Sequence, residues 1–65
     1  MKIGIILSFN KAAGVGILID NHNEHIRFYA ADSTKIPAKG ETVTFETEYR
    51  NKQQVAINLK RYQHA

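Results

Sequence analysis

Two neighbouring segments that are apolar on both faces constrain this chain most. Residues 2–9 and 15–20 are rich in isoleucine, leucine and valine, and the short connection Asn10-Lys11-Ala12-Ala13-Gly14 joins them. A strand that is apolar on one face packs on a single core, whereas one apolar on both faces leaves a second apolar surface outside it. Gly14 stands where a turn needs positive φ, and Gly16, inside the second segment, marks a bend or a close backbone approach. The pair reads as a β-hairpin. With Ile6 and Leu18 inward, Ile5, Leu7, Phe9, Val15, Ile17 and Ile19 are expected to point outward.

The same period-2 logic carries through the rest of the chain. Asp20-Asn21-His22-Asn23 is a polar turn leading into His25–Tyr29, where Ile26 and Phe28 alternate with His25, Arg27 and Tyr29. A register shifted by one would bury His25 and Arg27, and an unpaired buried arginine costs several kcal/mol, so Ile26 and Phe28 face the core. From Ala30 to Glu41 periodicity is lost, and Asp32-Ser33-Thr34, Pro37 and Gly40 mark the longest loop, with room for one helical turn. Thr42–Glu46 alternates, Arg50-Asn51-Lys52-Gln53 turns, and Val55, Ile57 and Leu59 alternate again. β-Branched residues at alternate positions favour a strand over a helix at 54–62. Five strands with few helical signals predict one all-β domain over residues 1–65, a five-stranded antiparallel barrel whose closure hides its sheet edges.

Size and composition narrow the function. A 65-residue chain buries only about 60% of its unfolded surface, which leaves little room for an enclosed active site. Cysteine is absent, so disulfides, thiolate metal sites and a cysteine nucleophile are excluded. Apolar runs such as Ile5–Leu7 are far short of the roughly 20 residues of a membrane span, and no secretory leader pattern opens the sequence. A cytoplasmic protein with no membrane partner is the expectation. The net charge of +3 is unevenly placed: after Glu48 come Arg50, Lys52, Lys60 and Arg61 with no acidic residue, a pattern suited to a phosphate backbone or to a solvated rim.

Four ordered segments together resemble the cold-shock domain, an oligonucleotide-binding (OB-fold) barrel. Gly4–Asn10 is similar to that family's G-x-V-K-W-F-N, and Ala13–Leu18 to its K-G-F-G-F-I. Lys39–Glu46 is similar to E-G-Q-x-V-x-F-E, and Gln54–Leu59 to Q-A-x-N-V. The resemblance spans nearly the whole chain and implies binding of single-stranded RNA or DNA by bases stacked on rings of the first three strands, each worth about 1–3 kcal/mol.

The departures fall on that stacking face. The family's opening lysine and tryptophan fall on Leu7 and Ser8, its motif lysine on Ala13, and its two motif phenylalanines on Val15 and Ile17. In its V-F-V-H-F segment, Arg27, Tyr29 and Ala30 take the places of phenylalanine, histidine and phenylalanine. Losing three or four rings removes on the order of 3–12 kcal/mol of stacking if the terms add. The expected nucleic-acid contacts are Phe9, Arg27 and Tyr29 for bases, since a guanidinium plane also stacks, and Lys11, Arg50, Lys52, Lys60 and Arg61 for phosphates. The alternative is a protein-interaction or homodimerising barrel that uses Ile5, Leu7, Val15, Ile17 and Ile19, because an exposed aliphatic patch marks interfaces.

Other chemistry finds little support. His22 and His25 lack thiolate companions, and their spacing suits a helix rather than a turn, so no metal site is expected. Ser8 has no positioned base nearby, no catalytic residue is assigned, and neither an enzymatic activity nor a cofactor is expected. Tyr49 and Tyr62 are expected to cap the barrel ends, with Tyr62 a further base contact near Lys60 and Arg61.

Overall fold

The computed structural model describes residues 2–62. The strands are β1 (Lys2–Asn10), β2 (Val15–Asp20), β3 (His25–Tyr29), β4 (Thr42–Arg50) and β5 (Gln53–Arg61), with a 3-10 turn at Ala30–Asp32 opening the long loop. They close into a barrel in the order β1-β2-β3-β5-β4, β4 returning to β1. This is the expected five-stranded barrel with one difference. β3 and β5 run parallel, over only Arg27↔Val55 and Phe28↔Ala56, so the sheet is mixed rather than wholly antiparallel. Local alternation carries no information on the direction of strands that meet only by closure.

The core is a cluster of Ile6, Leu18, Ile26, Phe28, Val43, Phe45, Ala56 and Leu59, with Phe9 and Ile36 packed against it. Burying each large side chain contributes about 1.5–3 kcal/mol. The glycine readings hold physically. Gly14 has φ +69° and donates to the Asn10 carbonyl, and its own oxygen accepts the Ala30 N–H, tying the first turn to the end of β3. Gly16 lies under the Phe28 ring, with no space for a Cβ.

Two β-bulges reset the alternation. On β1, Ile6 pairs with Leu18 and Ser8 with Ile17, leaving Leu7 as an extra residue. Parity changes there: Leu7 and Ser8 are both exposed, and Phe9 turns inward. The outward placement of Phe9 is therefore corrected, since its ring stacks on Phe28 at 5.8 Å with 14° between planes. On β5, Ile57 faces Glu46 and Lys60 faces Thr44, so Asn58 and Leu59 together oppose Phe45. Asn58 takes φ 54°, a left-handed conformation that asparagine tolerates, and its Nδ2 donates to Glu46 Oε2 at 2.8 Å. Ala56 and Leu59 consequently enter the core, whereas Val55 is buried outside that cluster and Ile57 is half-buried, which breaks the expected Val55-Ile57-Leu59 alternation.

Both bulges serve the long loop. Near the first, Ile6 donates to the Glu41 carbonyl at 3.1 Å and accepts from Gly40 N–H at 2.8 Å. At the second, Ser33 Oγ accepts the Leu59 N–H at 2.9 Å.

The β4–β5 hairpin is longer than its alternation suggests. It closes through a two-residue turn with Asn51 and Lys52 at φ 50° and 65°, the primed type that matches strand twist. Its tip runs beyond the residues that pair with β1 and β3, so Tyr49 is 77% exposed and does not cap a barrel end. Tyr62 is half-buried after β5 and donates its N–H to the Thr42 carbonyl. At the β2–β3 turn, Asp20 Oδ1 accepts the N–H groups of Glu24 (2.9 Å) and His22 (2.8 Å). The Glu24 bond is the main reason the carboxyl sits below its ordinary value. No helix among the described residues is long and apolar enough to cross a membrane.

Candidate nucleic-acid interface

The ladder arranges the outer face of β1–β3 in rows. Ser8, Ile17, Arg27 and Val55 pair in succession, as do Asn10, Val15 and Tyr29 in the next outward row. Neighbours across an antiparallel pair have Cβ atoms about 4.5–5.5 Å apart, so Arg27 stands beside Ile17, and Tyr29 beside Val15. Arg27 is exposed and Tyr29 half-buried because Ile26 and Phe28, between and before them, occupy the core. The register predicted for this strand holds.

An open depression results, lined by Ser8, Phe9, Val15, Ile17, Arg27 and Tyr29. The structure thus brings together the three expected base contacts, with Phe9 offering only the part of its ring left uncovered. Arg27 and Tyr29 also line a second depression, which runs under the β4–β5 turn past Val55, Asn51 and Gln53. Those three residues were not anticipated. Alternation marks Val55 as an apolar strand residue and not as a wall of this depression, and the polar turn residues carry no local mark of facing β3.

The expected phosphate contacts are dispersed. Arg50 is clasped by two carboxylates: Nη1 and Nη2 each donate at 2.8 Å to the two oxygens of Asp32, and Nε donates to Glu48 at 2.8 Å. The Asp32 bond leads in raising its pKa above the already high arginine value. Arg61 pairs with Glu41 at 2.8 Å. Lys52 sits exposed in the β4–β5 turn. Lys11 lines a depression with Phe9, Ile36, Pro37 and Lys39, while Lys60 and Arg61 line another with Thr34, Lys35 and Pro37. The basic run after Glu48 is therefore not one basic end in space.

The aliphatic strip lies mainly on β1. Ile3, Ile5 and Leu7 are 39%, 44% and 37% exposed, and Val15, Ile17 and Ile19 are half-buried. Ile3 was missed although it shares the parity of Ile5. His22 is in the β2–β3 turn and His25 on the outer face of β3 opposite Ile19; among the described residues no group of three His, Cys, Asp or Glu gathers to hold a metal.

Geometry thus defines the chain as a closed five-stranded β-barrel with an open, partly cationic outer face. No protein-family model matches the sequence, and no curated protein matches it significantly.

Proposed function

We propose that this barrel is a cold-shock-like binder of single-stranded RNA or DNA with a reduced stacking face, acting in the cytoplasm as a binding module rather than an enzyme. The observation that carries the reading is the placement of Arg27 and Tyr29 side by side in an open depression against the uncovered edge of Phe9. Arg27 has no carboxylate partner among the described residues, so its guanidinium is available to stack on a base or meet a phosphate. Val15 and Ile17 supply apolar floor where rings would stack.

Titration of a labelled single-stranded oligonucleotide at several salt concentrations tests the reading. Affinity is expected to fall with salt by about 0.7 log unit per log unit for each phosphate contacted. Tyr29→Ala and Arg27→Ala are each expected to weaken binding by roughly 5- to 150-fold, the equivalent of about 1–3 kcal/mol. Unchanged affinity in the double variant removes these residues from the site, and no binding of any pyrimidine- or purine-rich strand at low salt ends the proposal.

A second reading, association of two copies through β1 and β2, is favoured by the exposure of Ile3, Ile5 and Leu7 on one strand. A closed barrel offers no free edge, so such a dimer packs side chains across a two-fold axis. Sedimentation equilibrium is expected to show a concentration-dependent dimer that Leu7→Lys abolishes. A strictly monomeric parent at high concentration rejects this reading and leaves the first intact.

A further inference from the structure

Seven of the described lysines and arginines make no ion pair: Lys2, Lys11, Arg27, Lys35, Lys39, Lys52 and Lys60. Five of them, all but Lys2 and Lys52, line one connected series of depressions. The depression under the β4–β5 turn shares Arg27 and Tyr29 with the one over Phe9. That one shares Ser8 and Phe9 with the depression containing Lys11 and Lys39. Pro37 lines both this third depression and a fourth, which holds Lys35, Lys60 and the Glu41-paired Arg61.

Glu41, beside the series, has its carboxylate engaged by Arg61 and the Ala38 N–H, and the other carboxylates bound the series rather than interrupt it. Asp32 lies at one end, already engaged by Arg50, and the three depressions that follow contain no Asp or Glu. Past Asn58 and Lys60 the next hollow is lined by Glu46. A cationic track of this form, apolar in its middle and closed by acid at its ends, fits a chain of phosphates carrying bases. A compact anion would need one convergent site instead.

We infer that a bound single strand continues from the Arg27–Tyr29 depression over Pro37 onto the wall formed by Lys35 and Lys60, so that the long loop and the end of β5 form the far half of the binding track. This deepens the proposed function and rests on it. The far half is built by the loop that both bulges anchor: Ser33 at Leu59 N–H, next to Lys60, and Gly40 and Glu41 at Ile6.

The test compares thymidine oligomers of four and nine nucleotides, within the roughly 4–16 that one OB barrel covers. Lys35→Ala/Lys60→Ala removes two exposed cations, and circular dichroism checks that the variant is folded. For the nine-mer, its salt slope is expected to be shallower than the parent's by about 1.4, two phosphates at about 0.7 each. For the four-mer, which the near half accommodates, the slope is expected to stay the same. Lys2→Ala, a cation outside the track, is expected to alter neither. An unchanged nine-mer slope in the double variant, or equal losses at both lengths, overturns the far half while the near site stands. Failure of the parent to bind either oligomer overturns the proposed function and the track with it.

Discussion

Phe28→Ala is expected to leave little folded protein at room temperature. Phe28 is fully buried, its ring stacks on Phe9, and its backbone makes one of the two register pairs that join β3 to β5. Truncating a buried phenylalanine costs about 3–5 kcal/mol through lost transfer energy and the cavity left behind. A chain of this length has roughly 3–10 kcal/mol in total. Urea denaturation followed by circular dichroism is expected to show the midpoint displaced to near zero denaturant. A loss below about 1 kcal/mol would mean that the ring does not fill the core as described. The same variant would release Phe9 from its partner, so the stability loss and the shape of the Arg27–Tyr29 depression are linked through one stacked pair.

Gly16→Ala is expected to act on the same ring from the other side. A Cβ there would fall on Cζ of Phe28, 2.8 Å from its Cε2, and 2.5 Å from the Ser8 carbonyl oxygen. Two of these obstacles belong to a packed ring and one to backbone, so no flexible side chain can swing away. Overpacking of this kind costs about 1–3 kcal/mol, and the backbone contact puts this case at the upper end. The decisive measurement is a double-mutant cycle with Phe28→Leu. The shorter side chain withdraws the ring atoms, so the two changes together should cost about 0.5–3 kcal/mol less than their sum. Strict additivity would show that the close approach of Gly16 to Phe28 is not what makes glycine necessary.

How far the fold was legible depends on where alternation holds. β2 and β3 appear with the predicted bounds and faces, because Gly16-Leu18-Asp20 and Ile26-Phe28 keep an unbroken period of two. β1 and β5 were recognised as strands, but Phe9 beyond the first bulge and Ile57 before the second do not keep the expected alternation. Leu7 sits in a run of apolar residues with no glycine, proline or charge to mark an extra residue, so Phe9 was assigned to the wrong side. Asn58 did carry a signal: an asparagine amid alternating apolar residues is a type that accepts positive φ. The parallel contact between β3 and β5 arises from closure, which local pattern does not encode.

The candidate site was legible to the same extent. Arg27 and Tyr29 follow from the β3 register, whereas the fate of the basic residues does not follow from their order. Arg50 meets Asp32 across 18 positions and Arg61 meets Glu41 across 20. The charge that reaches solvent is therefore carried by residues scattered through the chain, Lys11, Lys35 and Lys39 among them.

The closing seam between β3 and β5 has a bearing on solution behaviour. Every other junction of the barrel is a ladder of at least four pairs, but this one has two. Local opening of the barrel is therefore expected there first, and it would expose N–H and C=O groups of β3 and β5 along the margins. Margins of that kind template pairing with another chain. The feature that closes so small a barrel is thus also the place where edge pairing with another copy would begin, and a ligand held by Arg27 beside the seam would fasten it.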